Sequence, residues 1–122
     1  MIGSQSMSGY RQSTRLFKVL AHPTRLRLLS ALRGREECVC HLTALVEARQ
    51  AYVSQQLMYL RRAGLIDDRK AGARVFYRVK DPRLFKVLDA VNTLNGTDDA
   101  VPEARVPLVC PCPHCERRAR RS

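Results

Sequence analysis

Five cysteines are the residues of this chain best suited to chemistry, and they fall into two groups. Cys38 and Cys40 lie near the middle of the chain, whereas Cys110, Cys112 and Cys115 lie close to its end. The N-terminus has no apolar segment typical of a secretion signal, so we expect a cytoplasmic, reducing setting. In that setting clustered cysteines are metal ligands or redox thiols more often than structural disulfides. Thiolates are soft ligands that favour As(III), Sb(III), Cd(II), Pb(II), Cu(I) and Zn(II).

The spacing of Cys38 and Cys40 sets a condition on a shared ion. Residues two apart on a regular helix point about 200° away from each other. The two thiols can therefore share an ion only where the start of the helix is irregular, which the preceding Glu36-Glu37 favours. The alternative is that both cysteines are small buried hydrophobic residues.

The second group lies in the segment CPCPHC, residues 110–115, within a polar tail. Three cysteines in six residues have no apolar core to fill there, so the pattern predicts a cluster of metal ligands. A separate zinc knuckle is the alternative. The three sulfurs are sufficient without His114, which we leave out of the ligand set.

The elements that must position these thiols are organised around QAYVSQQLMYLRRAGLI, residues 50–66. Apolar residues recur at i, i+4 and i+7 and predict one buried helix face: Val53, Leu57 and Leu60. The remaining surface carries amides and hydroxyls and no carboxylate, and such groups bond to base edges in the major groove. We therefore assign DNA contacts to Gln50, Tyr52, Ser54 and Gln55.

A basic hairpin is predicted after this helix, which ends at Gly64. Residues 65–70 and 74–79 form two predicted strands around a turn at residues 71–73. Arg69, Lys70 and Arg74 on the hairpin would reach phosphates or the minor groove. A helix followed by a basic hairpin predicts a winged helix-turn-helix.

Further helices are predicted at residues 14–20, 23–32 and 38–46, and a last one starts at Asp81-Pro82. The third of them pairs with the DNA-contacting helix through a turn at residues 47–49. The last helix carries an apolar stripe that we assign to a dimer interface: Leu84, Val87, Leu88 and Val91. The alternative is that this stripe folds back on the core of its own protomer.

Composition limits the remaining possibilities. The chain has 122 residues and a formal net charge of +11, which favours a polyanionic partner such as double-stranded DNA. We expect a flexible N-terminus at 1–11, one DNA-binding and dimerisation domain at 12–95, and a linker with a Cys-rich basic tail at 96–122. No apolar run is long enough to span a membrane. No nucleophile–base pair, phosphate loop or carboxylate dyad predicts an enzyme.

Several of these segments together resemble the ArsR/SmtB family of metal-sensing bacterial repressors. The resemblance rests on AHPTRLRLL at residues 21–29, VSQQL at 53–57 and AGLI at 63–66, and it extends over roughly residues 12 to 95. It implies a mainly α, homodimeric winged helix-turn-helix with a small β-hairpin wing. It also implies a repressor that binds operator DNA and releases it when an inducer binds.

The resemblance also includes the sensor segment. EECVCHL at residues 36–42 is similar to the sensor segment of the arsenic-sensing branch, where a third cysteine stands at the position of Thr43. It implies As(III) or Sb(III) as the inducer, with Cd(II), Pb(II) or Zn(II) as further candidates. We expect one or more of Cys110, Cys112 and Cys115 to complete the site.

Two alternatives remain open. The same thiols could sense oxidants or persulfide by forming a disulfide or polysulfide bridge on the same fold. The chain could instead be a small structural zinc protein that binds nucleic acid or another protein.

Overall fold

The computed structural model describes residues 2–97. Within that range the chain forms five helices and three strands in the order α1 (Ile2–Leu20), α2 (Pro23–Ala31), β1 (Glu37–Cys38), α3 (Val39–Val46), α4 (Gln50–Arg62), β2 (Ile66–Ala71), β3 (Arg74–Val79) and α5 (Leu84–Asn95). The mainly helical class with a small hairpin is the one that the sequence predicts. No helix in this part of the chain is both long enough and apolar enough to cross a membrane.

The first helix is longer than the sequence predicts. It begins at Ile2 instead of Thr14. Gly3, Gly9 and several serines are poor helix formers, so the sequence alone does not predict a helix over the first residues of α1. Elongation of a helix that has already formed gains one hydrogen bond for each residue fixed, so weak formers can be included.

Helices α3 and α4 form the predicted helix-turn-helix pair. The turn between them begins at Glu47, which has φ of 52° and ψ of 44° in the left-handed region. Arg49 precedes α4 in an extended conformation and provides no side-chain cap, as its residue type predicts.

Gly64 ends α4 as predicted, with φ of 79°. The Gly64 N–H donates to the Arg61 carbonyl at 3.0 Å, and the Leu65 N–H donates to the Leu60 carbonyl at 3.1 Å. These two bonds form a Schellman motif, which needs a residue with positive φ at the glycine position. The chain therefore turns directly from α4 into the hairpin.

The hairpin is antiparallel, and Ala71 pairs with Arg74 at its tip around Gly72 and Ala73. Gly72 has φ of 63°, as tight two-residue connections require. A third strand was not predicted: β1 pairs antiparallel with β3, giving the order β1-β3-β2. With two residues, β1 is too short to produce an alternating pattern in the sequence.

The core lies between the helices and the base of the sheet. Its largest fully buried apolar side chains are Leu28, Leu29, Leu32, Leu42, Leu57, Leu60, Ile66 and Val53. Leu84, Phe85 and Leu88 of α5 join the same core. Helix α5 therefore packs part of its apolar stripe against its own protomer.

Candidate nucleic-acid interface and thiol site

The predicted reading face of α4 points outward. Gln50, Tyr52, Ser54 and Gln55 are all exposed, while Val53, Leu57 and Leu60 on the other side are fully buried. Burial of these three residues by α2 and α3 fixes the rotation of the helix about its own axis. The amide and hydroxyl groups are thereby presented to solvent without a carboxylate from α4 beside them.

Gln56 is a candidate for positioning α4, and the sequence did not predict this role. It is only 5% exposed, and its Oε1 accepts a hydrogen bond from Arg25 Nε at 2.8 Å. Arg25 also donates to the Val19 carbonyl at 3.2 Å, and its guanidinium lies 4.9 Å from the Tyr59 ring centroid. One guanidinium thus ties α4 to α1 and α2. The position of Gln56 three residues after Val53, on the buried side, was the available signal.

The three cationic side chains of the wing differ in exposure and in their partners. Lys70 is exposed and Arg74 is half-buried. The Arg69 guanidinium instead donates to the Glu36 carboxylate, with 3.0 Å between Nε and Oε2, and lies 5.0 Å from the Phe76 ring centroid. Hydrogen bonding to the Glu36 carboxylate raises the pKa of Arg69. Arg69 is therefore linked to the thiol segment, which the sequence did not predict.

Cys38 and Cys40 lie together. Their Sγ atoms are 2.9 Å apart. The prediction that α3 begins at Cys38 is wrong, because Cys38 belongs to β1 and has extended dihedrals, with φ of −80° and ψ of 157°. The required irregularity at the start of the helix is therefore present as the junction between a strand and a helix. Cys38 is 1% exposed and Cys40 is half-buried.

Ionisable residues neighbour the two cysteines in the sequence. Glu37 is fully buried, with one carboxylate oxygen 3.7 Å from His41 Nε2 and the other 3.7 Å from Arg35 Nη1. Thr43, at the position of the third cysteine in the arsenic-sensing branch, donates its hydroxyl to the Val39 carbonyl at 2.7 Å. Within residues 2–97 no three His, Cys, Asp or Glu side chains lie where they could hold a metal ion together. A three-sulfur site therefore needs a sulfur from beyond residue 97, and Cys110, Cys112 and Cys115 lie outside the described residues.

The predicted dimer residues separate into two sets. Leu84 and Leu88 are buried in the core of the protomer, and Val87 is half-buried. Val91 is 43% exposed and Leu94 is 86% exposed. The stripe lies on one side of the helix, and its C-terminal half is exposed because the core extends along only its N-terminal half.

The order of the helices and strands defines a class of protein. Helices α3 and α4 form a helix-turn-helix, and the hairpin of β2 and β3 follows as the wing. The fold is therefore a winged helix-turn-helix, and the exposed face of α4 carries no carboxylate. The sequence model described as "Bacterial regulatory protein, arsR family" matches residues 22–68. The chain belongs to the ArsR family.

Individual relatives agree with this assignment. A transcriptional repressor SmtB homologue from Synechocystis is 41% identical over 76 residues, which cover 62% of this chain and 58% of that protein. The arsenic resistance transcriptional regulator ArsR1 from Pseudomonas putida is 42% identical over 86 residues, covering 70% of this chain and 65% of that protein. The match thus spans about three fifths of the length of these relatives. Reduced HlyU from Vibrio cholerae superimposes with a TM-score of 0.68 at 29% identity, covering 74% of this chain and 95% of that one.

Proposed function

We propose that this protein is a homodimeric transcriptional repressor that binds operator DNA through α4 and the wing, and releases it when a soft metal or metalloid ion binds cysteine thiolates. The observation that carries the proposal is the outward face of α4, which presents Gln50, Tyr52, Ser54 and Gln55 beside a basic hairpin. Family membership supports the same role.

DNA reading follows from the chemistry of that face. Gln and Ser side chains donate to and accept from base edges in the major groove, and the absence of carboxylates from α4 avoids repulsion by phosphates. Lys70 and Arg74 on the wing would bind the sugar–phosphate backbone and fix the register of the helix. A dimer would place two α4 helices in half-sites about 34 Å apart.

The exposed end of α5 supports dimerisation. Leu94 is 86% exposed and Val91 is 43% exposed, and on α1 Phe17 is 56% and Tyr10 67% exposed. Large apolar side chains that are exposed on terminal helices are typical of a surface covered by a second protomer. In this proposal the interface uses Val91 and Leu94, while Leu84 and Leu88 serve the core of each protomer.

The sensor in this proposal is the pair Cys38 and Cys40 together with sulfurs from the tail. Three sulfurs would suit As(III), Sb(III) or Pb(II), and four would suit Cd(II) or Zn(II). The segment from Gly96 to Val109 can span a long distance at up to about 3.3 Å per residue, so tail cysteines from either protomer are within reach.

A thiol-redox sensor is the second candidate, and the 2.9 Å between the Sγ atoms of Cys38 and Cys40 favours it. A peroxide would take two electrons from the two thiols, which form an S–S bond while their two protons leave with the reduced peroxide oxygens as water. The sulfurs would have to approach to about 2.05 Å.

The DNA-reading part is tested by base preference and salt dependence. Gln55→Ala should relax the preference at one base position, at a cost of about 1–3 kcal/mol. Arg74→Ala should instead weaken operator and unrelated duplexes alike and reduce the salt slope by about 1 per contact. Operator affinity and base preference that survive both Gln55→Ala and Ser54→Ala would show that α4 is not the reader.

The sensor part is tested with two variants of the full chain: Cys38→Ser/Cys40→Ser, and a chain that stops after Leu108. Both should bind operator DNA normally and fail to release it in arsenite. Release with wild-type sensitivity by either variant would exclude a site shared between the two groups of cysteines. Release by hydrogen peroxide or persulfide, but by none of the ions, would favour the redox candidate.

A further inference from the structure

The thiol pair lies on the same sheet as the wing. Cys38 of β1 stands opposite Phe76 of β3, and Phe76 stands opposite Arg69 of β2. Residues directly opposite each other on neighbouring strands project to the same face of a sheet. Cys38, Phe76 and Arg69 therefore form a row across three strands, running from the sensor segment to the outer strand of the wing.

Side-chain contacts are continuous along this row. Cys38 and Phe76 are buried against each other, with Cys40 packed against this cluster. The guanidinium of Arg69 lies 5.0 Å from the centroid of the Phe76 ring. Glu36, two residues before Cys38, holds the same guanidinium through Nε at 3.0 Å. Arg69 is thus fixed both over the ring and to the thiol segment.

An ion that binds both thiols must change the distance between the two sulfurs. Zn–S bonds of about 2.3 Å at a tetrahedral angle place two sulfurs about 3.8 Å apart. The Sγ atoms are 2.9 Å apart, so they must separate. Cys38 has almost no exposed surface and packs against Phe76, so the part of this separation that Cys38 takes up displaces the Phe76 ring. A close-packed interior transmits such a displacement because it has no empty space to absorb it.

We propose that occupation of Cys38 and Cys40 is communicated to DNA through the wing, with Phe76 and Glu36 as positioning residues for a phosphate contact made by Arg69. This inference rests on the proposed function and specifies how its sensor acts. A displaced Phe76 ring and a displaced Glu36 carboxylate would carry the Arg69 guanidinium away from the DNA backbone. The face of α4 that reads bases would keep its orientation, since Arg25 and Gln56 hold it from the other side.

If the signal passes through the wing, ion binding should weaken the binding of DNA to the same extent for every sequence. Phosphate contacts contribute to affinity for every sequence, whereas base contacts discriminate among sequences. Loss of Arg69 from both wings of a dimer should lower the salt slope by about 2 and weaken operator and scrambled duplexes by the same factor. Rotation of α4 would instead reduce the ratio between the two affinities.

The experiment measures the affinity of the full-length protein for operator and scrambled duplexes over a series of salt concentrations, with and without arsenite. Arg69→Gln should start with a lower salt slope and lose most of the arsenite response. Lys70→Gln is the matched control, because it removes a neighbouring exposed cation on the same strand. It should also start with a lower slope but keep the wild-type response to arsenite. Phe76→Leu should bind arsenite with wild-type affinity and release DNA less.

Each outcome decides between the alternatives. A wild-type arsenite response in Arg69→Gln, or a change in the operator-to-scrambled ratio on adding arsenite, would overturn the wing route and leave the proposed function intact. Failure of the wild-type protein to release DNA with arsenite, Cd(II) or hydrogen peroxide would overturn the proposed function itself, and this inference with it.

Discussion

Replacing Arg25 tests how helix α4 is held in place. In Arg25→Ala the buried Gln56 amide loses a charged donor at 2.8 Å, and the Tyr59 ring loses the guanidinium 4.9 Å from its centroid. Hydrogen bonds to charged groups contribute about 1.5–3 kcal/mol. A partly exposed cation–π contact contributes about 0.5–1 kcal/mol. We expect the free energy of unfolding to fall by about 2–4 kcal/mol.

Urea unfolding followed by circular dichroism measures this loss. With a slope of about 2 kcal/mol per molar urea, the midpoint should fall by about 1–2 M. Arg15→Ala is the control, since Arg15 is exposed on α1 and its removal should change stability by less than about 0.5 kcal/mol. A double-mutant cycle with Gln56→Ala should give a coupling of about 0.5–3 kcal/mol between Arg25 and Gln56. A coupling near zero, or an Arg25→Ala variant as stable as the control, would refute this account of the helix.

Three further predictions concern other parts of the fold. Gly64→Ala should lower the free energy of unfolding by about 1 kcal/mol in urea melts, because φ of 79° strains an L residue although nothing lies within 4 Å of an added Cβ; an unchanged midpoint would contradict this. Hydrogen bonding from Arg83 lowers the pKa of Asp81 to about 2. Its contribution should be complete above its ordinary pKa near 3.8 and be lost as the pH falls toward 2, so Asp81→Asn should flatten the acid limb of the stability profile. Leu94→Glu should shift the dimer toward folded monomers in sedimentation while leaving the protomer fold unchanged by circular dichroism; a dimer of wild-type strength would exclude this surface.

The helix-turn-helix and the wing could be predicted because local rules and burial agree there. The apolar spacing of Val53, Leu57 and Leu60 and the glycine at position 64 each predict the same helix and the same end. Strand β1 could not be predicted, since its two residues form a strand only because β3 lies beside them. The contact between the two sulfurs follows from that strand, so only the need for an irregular helix start was accessible from the sequence.

The candidate site was predicted less completely than the fold. The exposed amide and hydroxyl face of α4 follows from helical periodicity alone. The tie between Arg69 and Glu36 joins residues 33 positions apart, and no sequence pattern marks it. The division of the α5 stripe between core and surface depends on how far the core extends along that helix, which is a property of the tertiary packing.

In the proposed function, binding of an ion to the thiols and binding of operator DNA each lower the affinity of the protein for the other. Linkage requires that an ion which weakens DNA binding by some factor is itself bound more weakly, by the same factor, when DNA is present. Isothermal titration of arsenite into the free protein and into its operator complex measures this factor directly. We expect an affinity about 5–150-fold lower in the complex, whereas in Cys38→Ser/Cys40→Ser any arsenite that still binds the tail cysteines should bind with the same affinity in both states. Equal arsenite affinities with and without operator DNA would show that ion binding and DNA binding are not coupled in this protein.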